Sequence, residues 1–321
     1  MKPMLRLLAF FLALLLSAAL GCGSPQSCAQ FEEPDARSAE KDALWESLKA
    51  ARPAPAQTAD PALMVIVIDV GQGDSILLVS PEGKPMLVDA GPDGSFRRID
   101  DVLKANGIFA LDVVVATHPH EDHIGAMADV LRAYPVGSFY TIPQEQETEW
   151  YARMLSALEA CGVTAIFAEG GTTIPWADSC AVTVLNPIPS YDAPADLNDS
   201  SIVLRVRYGE TAVLLTGDAG ETAEQRMLDT FPRSMLKANL LKLGHHGSSG
   251  STGYSFFLAV DPDAAVASCG ADNEYGHPHL GTLSLLYDTH TAFYRTDLDG
   301  TITFRLDGTS VFAEPSRKEI P

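Results

Sequence analysis

The chain of 321 residues is poor in basic residues: 22 Lys and Arg stand against 42 Asp and Glu, for a formal net charge of −20. This balance argues against broad, charge-driven attraction to nucleic acid or to anionic lipid. It is still compatible with an anionic substrate, because bound divalent cations reverse the sign of the local field.

Cysteine is also scarce. The five cysteines are Cys22, Cys28, Cys161, Cys180 and Cys269, and their spacing forms neither a zinc knuckle nor a CxxC pair. Export would permit a disulfide, for which Cys161 and Cys180 are a possible pair. The sequence also has no nucleophile elbow around Ser248 and Ser249, which argues against a serine hydrolase.

Long apolar runs are absent after Leu20, so the sequence predicts no transmembrane domain. Before it, Lys2 and Arg6 open an apolar run of about 14 residues, which is short for a membrane span and typical of a secretory signal. We therefore predict a signal peptide over residues 1–22. The segment Ala19-Leu20-Gly21-Cys22 resembles a bacterial lipoprotein processing box.

That resemblance implies lipidation of Cys22 and attachment to the cell envelope through the lipid anchor only; plain export to the periplasm or medium is the alternative. Residues 23–61 are rich in Pro, Ala, Glu and Ser and predict a flexible linker, with one short helix conceivable around Lys41–Ala51. A folded domain is predicted over residues 62–314.

The most informative segment is the histidine motif, His118-Pro119-His120-Glu121-Asp122-His123, which follows the apolar run Leu111–Ala116. That run predicts a buried strand. With only 8 histidines in the chain, three of them beside a carboxylate are hard to explain as a chance polar loop. Imidazole nitrogen and carboxylate oxygen are ligands of zinc, and also of manganese or iron.

Three later segments place further ligand types beside strands: Asn198-Asp199, Asp218 and His245-His246. Taken alone, Asp218 could cap a helix, His245 could be a buried core histidine, and Asn198-Asp199 could form a turn. Their order after the histidine motif favours a shared site. The alternation of strands and helices in both halves predicts a mixed α/β fold with two layered sheets and helices outside.

From Leu63 to Leu306 the chain resembles the metallo-β-lactamase-fold hydrolases. The matching residues are Asp89, the histidine motif, Asp218 and His245. The resemblance implies a four-layer αββα sandwich with two divalent metal ions. It assigns His118 and His120 to the first metal, Asp122, His123 and His245 to the second, and Asp218 to a bridging position. Asp89 would orient ligands.

The sequence departs from this family at one point, because no histidine occurs between His123 and His245. Asn198 or Asp199 stands where most members with two metals have a histidine. The third protein ligand of the first metal is therefore open. Zinc is the first expectation, and manganese becomes a stronger alternative than in an all-histidine site.

Four further segments resemble the extracellular hydrolase domain of ComEC-type DNA-uptake proteins. They contain Asp69 and Asp74, Asn198 and Asp199, Lys242 with His246, and His277 with His279. The first six of these residues are candidates either to bind a metal ion or to orient its ligands. The resemblance implies an exported phosphodiesterase or nuclease that attacks DNA or nucleotides with a metal-bound hydroxide. Asp122 would orient the hydroxide, while His277 and His279 would hold or protonate the substrate.

Two alternatives stay open at this point. One fold hosts many activities, so a lactone, thioester or other ester is an alternative substrate. The other alternative is a non-catalytic, metal-stabilised envelope lipoprotein. Because the chain lacks the membrane channel of the ComEC-type proteins, we do not expect it to import DNA unaided.

Overall fold

The structure is a computed structural model that describes residues 43, 47, 48, 61–191, 194 and 196–317. The predicted signal peptide, Cys22 and most of the predicted linker lie outside the described residues. Leu48, within that linker, is helical and buried against the outer helices of the second sheet, which a wholly solvated spacer does not explain. Among the described residues, no helix has both the length and the hydropathy needed to cross a membrane.

The described strands form two sheets. The first has eight strands in the order β14-β13-β1-β2-β3-β4-β5-β6, and the second has six in the order β12-β11-β10-β9-β8-β7. The strands are β1 (Leu63–Val67), β2 (Ile76–Val79), β3 (Pro85–Val88), β4 (Leu111–Val115), β5 (Val136–Thr141), β6 (Ala165–Phe167), β7 (Cys180–Asn186), β8 (Val203–Tyr208), β9 (Thr211–Leu215), β10 (Leu240–Lys242), β11 (Ala264–Ala267), β12 (Ala292–Arg295), β13 (Ile302–Leu306) and β14 (Val311–Pro315).

Helices connect the parallel strands and cover the outer faces of both sheets. The described helices are α1 (Phe96–Ala105), α2 (Glu121–Ile124), α3 (Met127–Ala133), α4 (Glu149–Cys161), α5 (Glu221–Thr230), α6 (Arg233–Leu236), α7 (Tyr254–Val260), α8 (Leu280–Asp288) and α9 (Thr296–Asp299). Two short turns of 3₁₀ type lie at Leu197–Ser200 and Gly244–Gly247.

Side-chain alternation along the strands builds the layers. On β1, Val65 and Val67 belong to a core between the two sheets, whereas Ile66 belongs to a core under the helices of the first sheet. On β9, Val213 packs between the sheets and Leu214 packs under the helices of the second sheet. Successive side chains of a strand point to opposite faces, so strands buried on both faces need apolar residues throughout. The predicted four-layer αββα sandwich is confirmed.

The parallel strands direct their carboxyl ends to one edge of each sheet. Strands β3 to β6 are parallel in the first sheet, and β9 to β12 are parallel in the second. Loops that follow such strands are the usual place for a ligand site in an open α/β sheet. The histidine motif follows β4, Asp89 follows β3, Asp218 follows β9, and His245-His246 follows β10.

Two strands have no clear pattern in the sequence. In β5, Gly137 and Ser138 dilute the strand pattern, and pairing with β4 and β6 defines the strand instead. Strand β14 lies at the edge of its sheet.

The possible Cys161–Cys180 disulfide is wrong, because both cysteines are free. Cys161 ends helix α4 and lies close to the carbonyl of Leu131, whereas Cys180 is buried between the sheets.

Candidate metal centre

The histidine motif enters the site as a strand end followed by a helix start. His118 is fully buried just after β4, and α2 begins at Glu121, so Asp122 and His123 lie in its first turn. The backbone around Gly73 packs directly on this turn: a Cβ at Gly73, whose φ is +126°, would lie 2.2 Å from the carbonyl oxygen of Asp122. Only glycine fits this approach.

Four residues from three loops converge on one point. Four ligand atoms lie within 4.8 Å of one another, one each from Asp122, His123, Asp218 and His246. His123 Nε2 is 3.2 Å from Asp218 Oδ1, and His246 Nε2 is 3.1 Å from Asp122 Oδ2. We call these residues the buried quartet. Two nitrogens and two carboxylates at this spacing form a donor set suited to a divalent cation.

A second group of donors adjoins the quartet on the other side of Asp218. His118 Nε2 lies 3.0 Å from His120 Nδ1 and 3.9 Å from Asp218 Oδ2. Asp218 therefore adjoins both groups: Oδ1 lies near His123, whereas Oδ2 lies 3.4 Å from His246 Nε2 and 3.9 Å from His118 Nε2. Asn198 lines the same cavity, and its amide oxygen is buried without a hydrogen-bond partner in the described part of the chain.

Hydrogen bonds at Nδ1 fix which imidazole nitrogen faces the site. His123 Nδ1 is 2.7 Å from Asp89 Oδ2, and His246 Nδ1 is 2.8 Å from the carbonyl oxygen of Ser268. Both acceptors require hydrogen on Nδ1, so the other ring nitrogen, Nε2, is directed into the quartet. This is the usual arrangement around a metal-binding histidine.

His118 is oriented in the same way by a hydroxyl. Its Nδ1 lies 3.1 Å from Thr117 Oγ1, whose own hydrogen is donated to Asp89 Oδ2 over 2.7 Å. The hydroxyl oxygen is thus an acceptor for His118 Nδ1–H, and Nε2 keeps its lone pair.

Buried atoms without a hydrogen-bond partner indicate whether the quartet suits a metal ion. Within the described chain, His123 Nε2 and Asp218 Oδ1 are buried and lie 3.2 Å apart, but neither atom has a partner in hydrogen-bond geometry. Leaving such groups unsatisfied costs about 1–3 kcal/mol each, and more when they are charged. A divalent cation between them would satisfy both atoms, so the residues present fit the group that the sequence predicts.

The electrostatics of the quartet agree with this fit. Burial alone lowers the pKa of His123, but the carboxylates of Asp218, Asp89 and Asp122 outweigh it and raise this pKa well above its ordinary value. Burial raises the pKa of Asp218, but His123 and His246 more than offset it and hold it well below the ordinary value. The closely spaced carboxylates thus attract positive charge to the quartet, and a divalent cation would supply that charge in place of the imidazole proton.

The loop after β10 differs from the predicted ligand assignment. His245 and His246 both adopt positive φ, 46° and 56°, which is unusual for non-glycine residues and costs backbone energy. This tight turn places His246 in the quartet. His245 Nε2 lies 3.8 Å from Asp218 Oδ2, and its side chain is 37% exposed. The geometry therefore favours His246 over the predicted His245 at the second metal.

Asp74 and Lys242 form a buried support below His246. Lys242 Nζ lies 3.0 Å from Asp74 Oδ2 and donates to the carbonyl oxygen of Leu243, while Asp74 Oδ1 lies 3.4 Å from His246 Nδ1. Burial raises the pKa of Asp74, but the ammonium group of Lys242 and the imidazole of His246 bring it below the ordinary value. The pair fits a structural role better than metal ligation.

Two predicted candidates are engaged elsewhere. The Asp69 carboxylate pairs with Arg317 over 2.7 Å and is not among the grouped ligands. The Asp199 carboxylate accepts hydrogen bonds from the backbone N–H groups of Gly220 and Ala223, at 3.0 and 3.3 Å, and so caps helix α5. Both arrangements fit a structural role: Asp69 is paired at a partly exposed position, and Asp199 is buried with backbone partners.

The site opens into a cavity of about 520 Å³, which we call the site cavity. His277 lines it, and burial lowers the pKa of its imidazole to about 4, so the ring is neutral at pH 7. His279 differs: its Nδ1 accepts from the N–H of Ser249 over 2.9 Å, and its Nε2 reaches the carbonyl oxygen of Tyr275 over 2.9 Å. With both nitrogens occupied by backbone groups, His279 is suited to holding the loop and poorly suited to the predicted proton transfer.

Three supporting groups were missed from the sequence. Thr117 and Ser201 place hydroxyl oxygens 3.1 and 3.2 Å from His118 Nδ1, and the backbone carbonyl of Ser268 binds His246. The position of Thr117, directly before the histidine motif, was an available clue. A carbonyl group leaves no trace in the residue type, so Ser268 could not be found in this way.

Comparisons with known proteins agree with this architecture. The family model described as "Metallo-beta-lactamase superfamily" matches residues 68–271, more than half of the chain. ComE operon protein 3 of Bacillus subtilis (strain 168) is 33% identical over 264 residues, which cover 75% of this chain and 33% of that protein. Competence protein ComA of Neisseria gonorrhoeae is 32% identical over 254 residues, which cover 79% and 34%.

The chain therefore spans about a third of the length of these curated relatives. Among solved structures, CmlA, a diiron beta-hydroxylase from Streptomyces venezuelae, is similar with a TM-score of 0.50 and 16% identity, covering 78% of this chain and 55% of that chain. At this identity the similarity concerns the fold alone.

Proposed function

Because the chain belongs to the metallo-beta-lactamase superfamily of metal-dependent hydrolases, we propose that it hydrolyses phosphodiester bonds in DNA or nucleotides. The observation that carries the proposal is the convergence of Asp122, His123, Asp218 and His246 beside His118 and His120. The names of the relatives, a ComE operon protein and a competence protein, agree with the sequence motifs that resemble DNA-uptake proteins.

The ligands divide into two sets that share Asp218. His118 and His120 would hold the first ion with Asn198 as third protein ligand, and the rest of the buried quartet would hold the second. When bound, the two divalent ions, zinc first and manganese as the alternative, would lower the pKa of a coordinated water and neutralise charge that develops on the phosphoryl group.

The protein's own groups orient the reactants. Asp89 and the carbonyl of Ser268 fix two imidazoles through Nδ1, so these ligands need little reorganisation. The Asp122 side chain is 29% exposed and faces the site cavity, where its carboxylate can accept hydrogen from the attacking water. The neutral ring of His277, at the cavity wall, is placed to hydrogen-bond to the substrate.

The experiment is hydrolysis of DNA by the metal-restored protein. We expect release of acid-soluble fragments with added zinc or manganese, and a loss of at least about 100-fold in Asp122→Ala. Asp112→Ala removes an exposed aspartate of β4 and is the matched control, expected to act like the wild type. Intact DNA with every metal tried would contradict the proposal.

Hydrolysis of a lactone, thioester or other ester is the second candidate. Among the described residues that line the site cavity there are two glutamates, Glu121 and Glu274, and no lysine or arginine. Such a lining also suits an uncharged substrate. A panel of phosphodiester and carboxylic ester substrates separates the two, since ester turnover without phosphodiester turnover would favour this candidate.

We also propose that the chain acts at the cell envelope as a lipoprotein anchored through Cys22, or as a secreted or periplasmic protein if it is not lipidated. Its support is the sequence of residues 1–22. Labelling cells with a radioactive fatty acid is the test. We expect label in the wild type and none in Cys22→Ala. A wild-type chain that carries no label and is found in the cytoplasmic fraction would contradict export.

A further inference from the structure

We infer that the site cavity binds a single unpaired nucleotide, with its base stacked on the ring of Tyr275. This inference rests on the proposed phosphodiesterase function and narrows its substrate class. Tyr275 lines the cavity beside His277, yet its side chain remains 57% exposed. An aromatic ring at the mouth of a site that cleaves nucleotides is a natural platform for a base, because every base has a flat π-face.

The Tyr275 ring is already arranged for stacking. Its plane lies 22° from that of the His277 ring, with ring centroids 5.6 Å apart. His277 is itself 5% exposed and adjoins His245 and His246, with ring centroids 5.4 and 6.2 Å away. The two stacked rings thus connect the cavity mouth to the histidines at its floor. One face of the Tyr275 ring is turned to His277, and its exposure leaves the other face available to a base at the cavity mouth.

The loop that carries Tyr275 is held in place before any substrate arrives. The amide of Asn273 donates to the carbonyl oxygens of Gly270 and His277 and accepts from the N–H of His277, over 2.8–2.9 Å. His279 Nε2 donates to the carbonyl oxygen of Tyr275 over 2.9 Å. Stacking on such a fixed ring avoids the entropy cost of ordering a loop during binding. This also gives His279 a role as a positioning residue.

The size and charge of the cavity argue against a grip on several phosphates of a long nucleic acid. A volume of about 520 Å³ accommodates about one nucleotide. Proteins that grip long nucleic acid neutralise several phosphates with lysine and arginine, and the described lining contains neither. With a net charge of −20, the chain has little general attraction for a polyanion. Affinity must then come from stacking and from the one phosphate at the metal centre.

The test compares two substrates that share a leaving group: thymidine 5′-(p-nitrophenyl phosphate), which carries a base, and methyl p-nitrophenyl phosphate, which does not. The ratio of their kcat/KM values measures the contribution of the nucleoside, and the change of this ratio in a Tyr275 variant measures the stacking of its base. We expect this ratio to fall roughly 5- to 150-fold in Tyr275→Leu, the range for loss of one base–aromatic stack. Tyr275→Phe keeps the ring and should keep the ratio.

Tyr254→Leu is the matched control, because Tyr254 is 66% exposed on helix α7 and does not line the site cavity. An unchanged ratio in Tyr275→Leu, with both substrates still cleaved, would overturn the inference and leave the proposed function intact. No cleavage of either substrate by the metal-restored wild type would overturn both. Cleavage of a duplex as fast as its separated strands would likewise contradict binding of an unpaired nucleotide.

Discussion

Asn198 is the residue whose role decides the first metal site. The residue lines the cavity that His120 and Asp218 also line, and its amide oxygen is buried and unpaired within the described chain. Asp199, the other candidate for the missing ligand, is occupied at the start of helix α5. The sequence leaves Asn198 and Asp199 as alternatives, and their hydrogen bonds distinguish them. The Asp199 carboxylate has hydrogen-bond partners, whereas the Asn198 amide oxygen has none among the described residues.

Asn198→Ala should therefore weaken binding of one metal ion by about tenfold or more, since even groups outside the ligand set change metal affinity by 10- to 100-fold. Asn198→His should shift the preference of this site from manganese towards zinc, because imidazole is the softer ligand. Titration of zinc and manganese against a competing dye measures both effects. Asn106→Ala, which changes an exposed asparagine after helix α1, is the control. Wild-type affinities in Asn198→Ala would contradict ligation.

The loop from Gly244 to Gly253 positions His246, and helix α5 holds this loop in place. Glu224, buried on α5, accepts hydrogen bonds from the backbone N–H groups of Thr252 and Gly253. Burial raises the pKa of its carboxyl group from 4.5 to about 7, although these two hydrogen bonds oppose the shift. The anchor of the loop is therefore a carboxyl group that titrates near neutrality.

The raised pKa of Glu224 makes the stability of the folded chain decrease as the pH rises. The folded state holds the proton of Glu224 more tightly than the unfolded chain, so the stabilising contribution is complete below pH 4.5 and is lost as the pH rises through about 7. The loss amounts to about 3 kcal/mol. Urea unfolding at several pH values measures the free energy of unfolding. As the pH rises, we expect this free energy to fall by that amount in the wild type relative to Glu224→Gln. Parallel pH curves for the two proteins would contradict the assignment.

Some strands can be predicted from the sequence pattern alone, and others cannot. Strands such as β1 and β9 are apolar on both faces, so their patterns predict them directly. Strand β5 contains Gly137 and depends on its neighbours, and the sequence alone did not reveal it. Our preference for His246 over His245 as a ligand has a similar cause: adjacent histidines are equivalent in a pattern, and only the left-handed turn determines which ring is buried.

At the scale of the whole molecule, the site exists because two sheets present their strand ends at one place. The histidine motif belongs to the first half of the chain, and Asp218 and His246 belong to the second. No local periodicity predicts contact over such separations. The family resemblance supplied it, and the 3.2 Å approach of His123 to Asp218 is the structural result. The supporting contacts of Ser201 and Ser268 depend on the same packing and were not predictable.

We propose that imidazoles and carboxylates from distant segments hold two divalent ions together. The metal content of the purified chain, measured by mass spectrometry after dialysis against zinc or manganese, tests this directly. We predict two ions per chain for the wild type and at most one for Asp218→Ala, with circular dichroism confirming that the variant folds. A folded wild-type chain that retains no metal, or an Asp218→Ala variant that retains two ions, would show that these residues do not form a shared two-metal site.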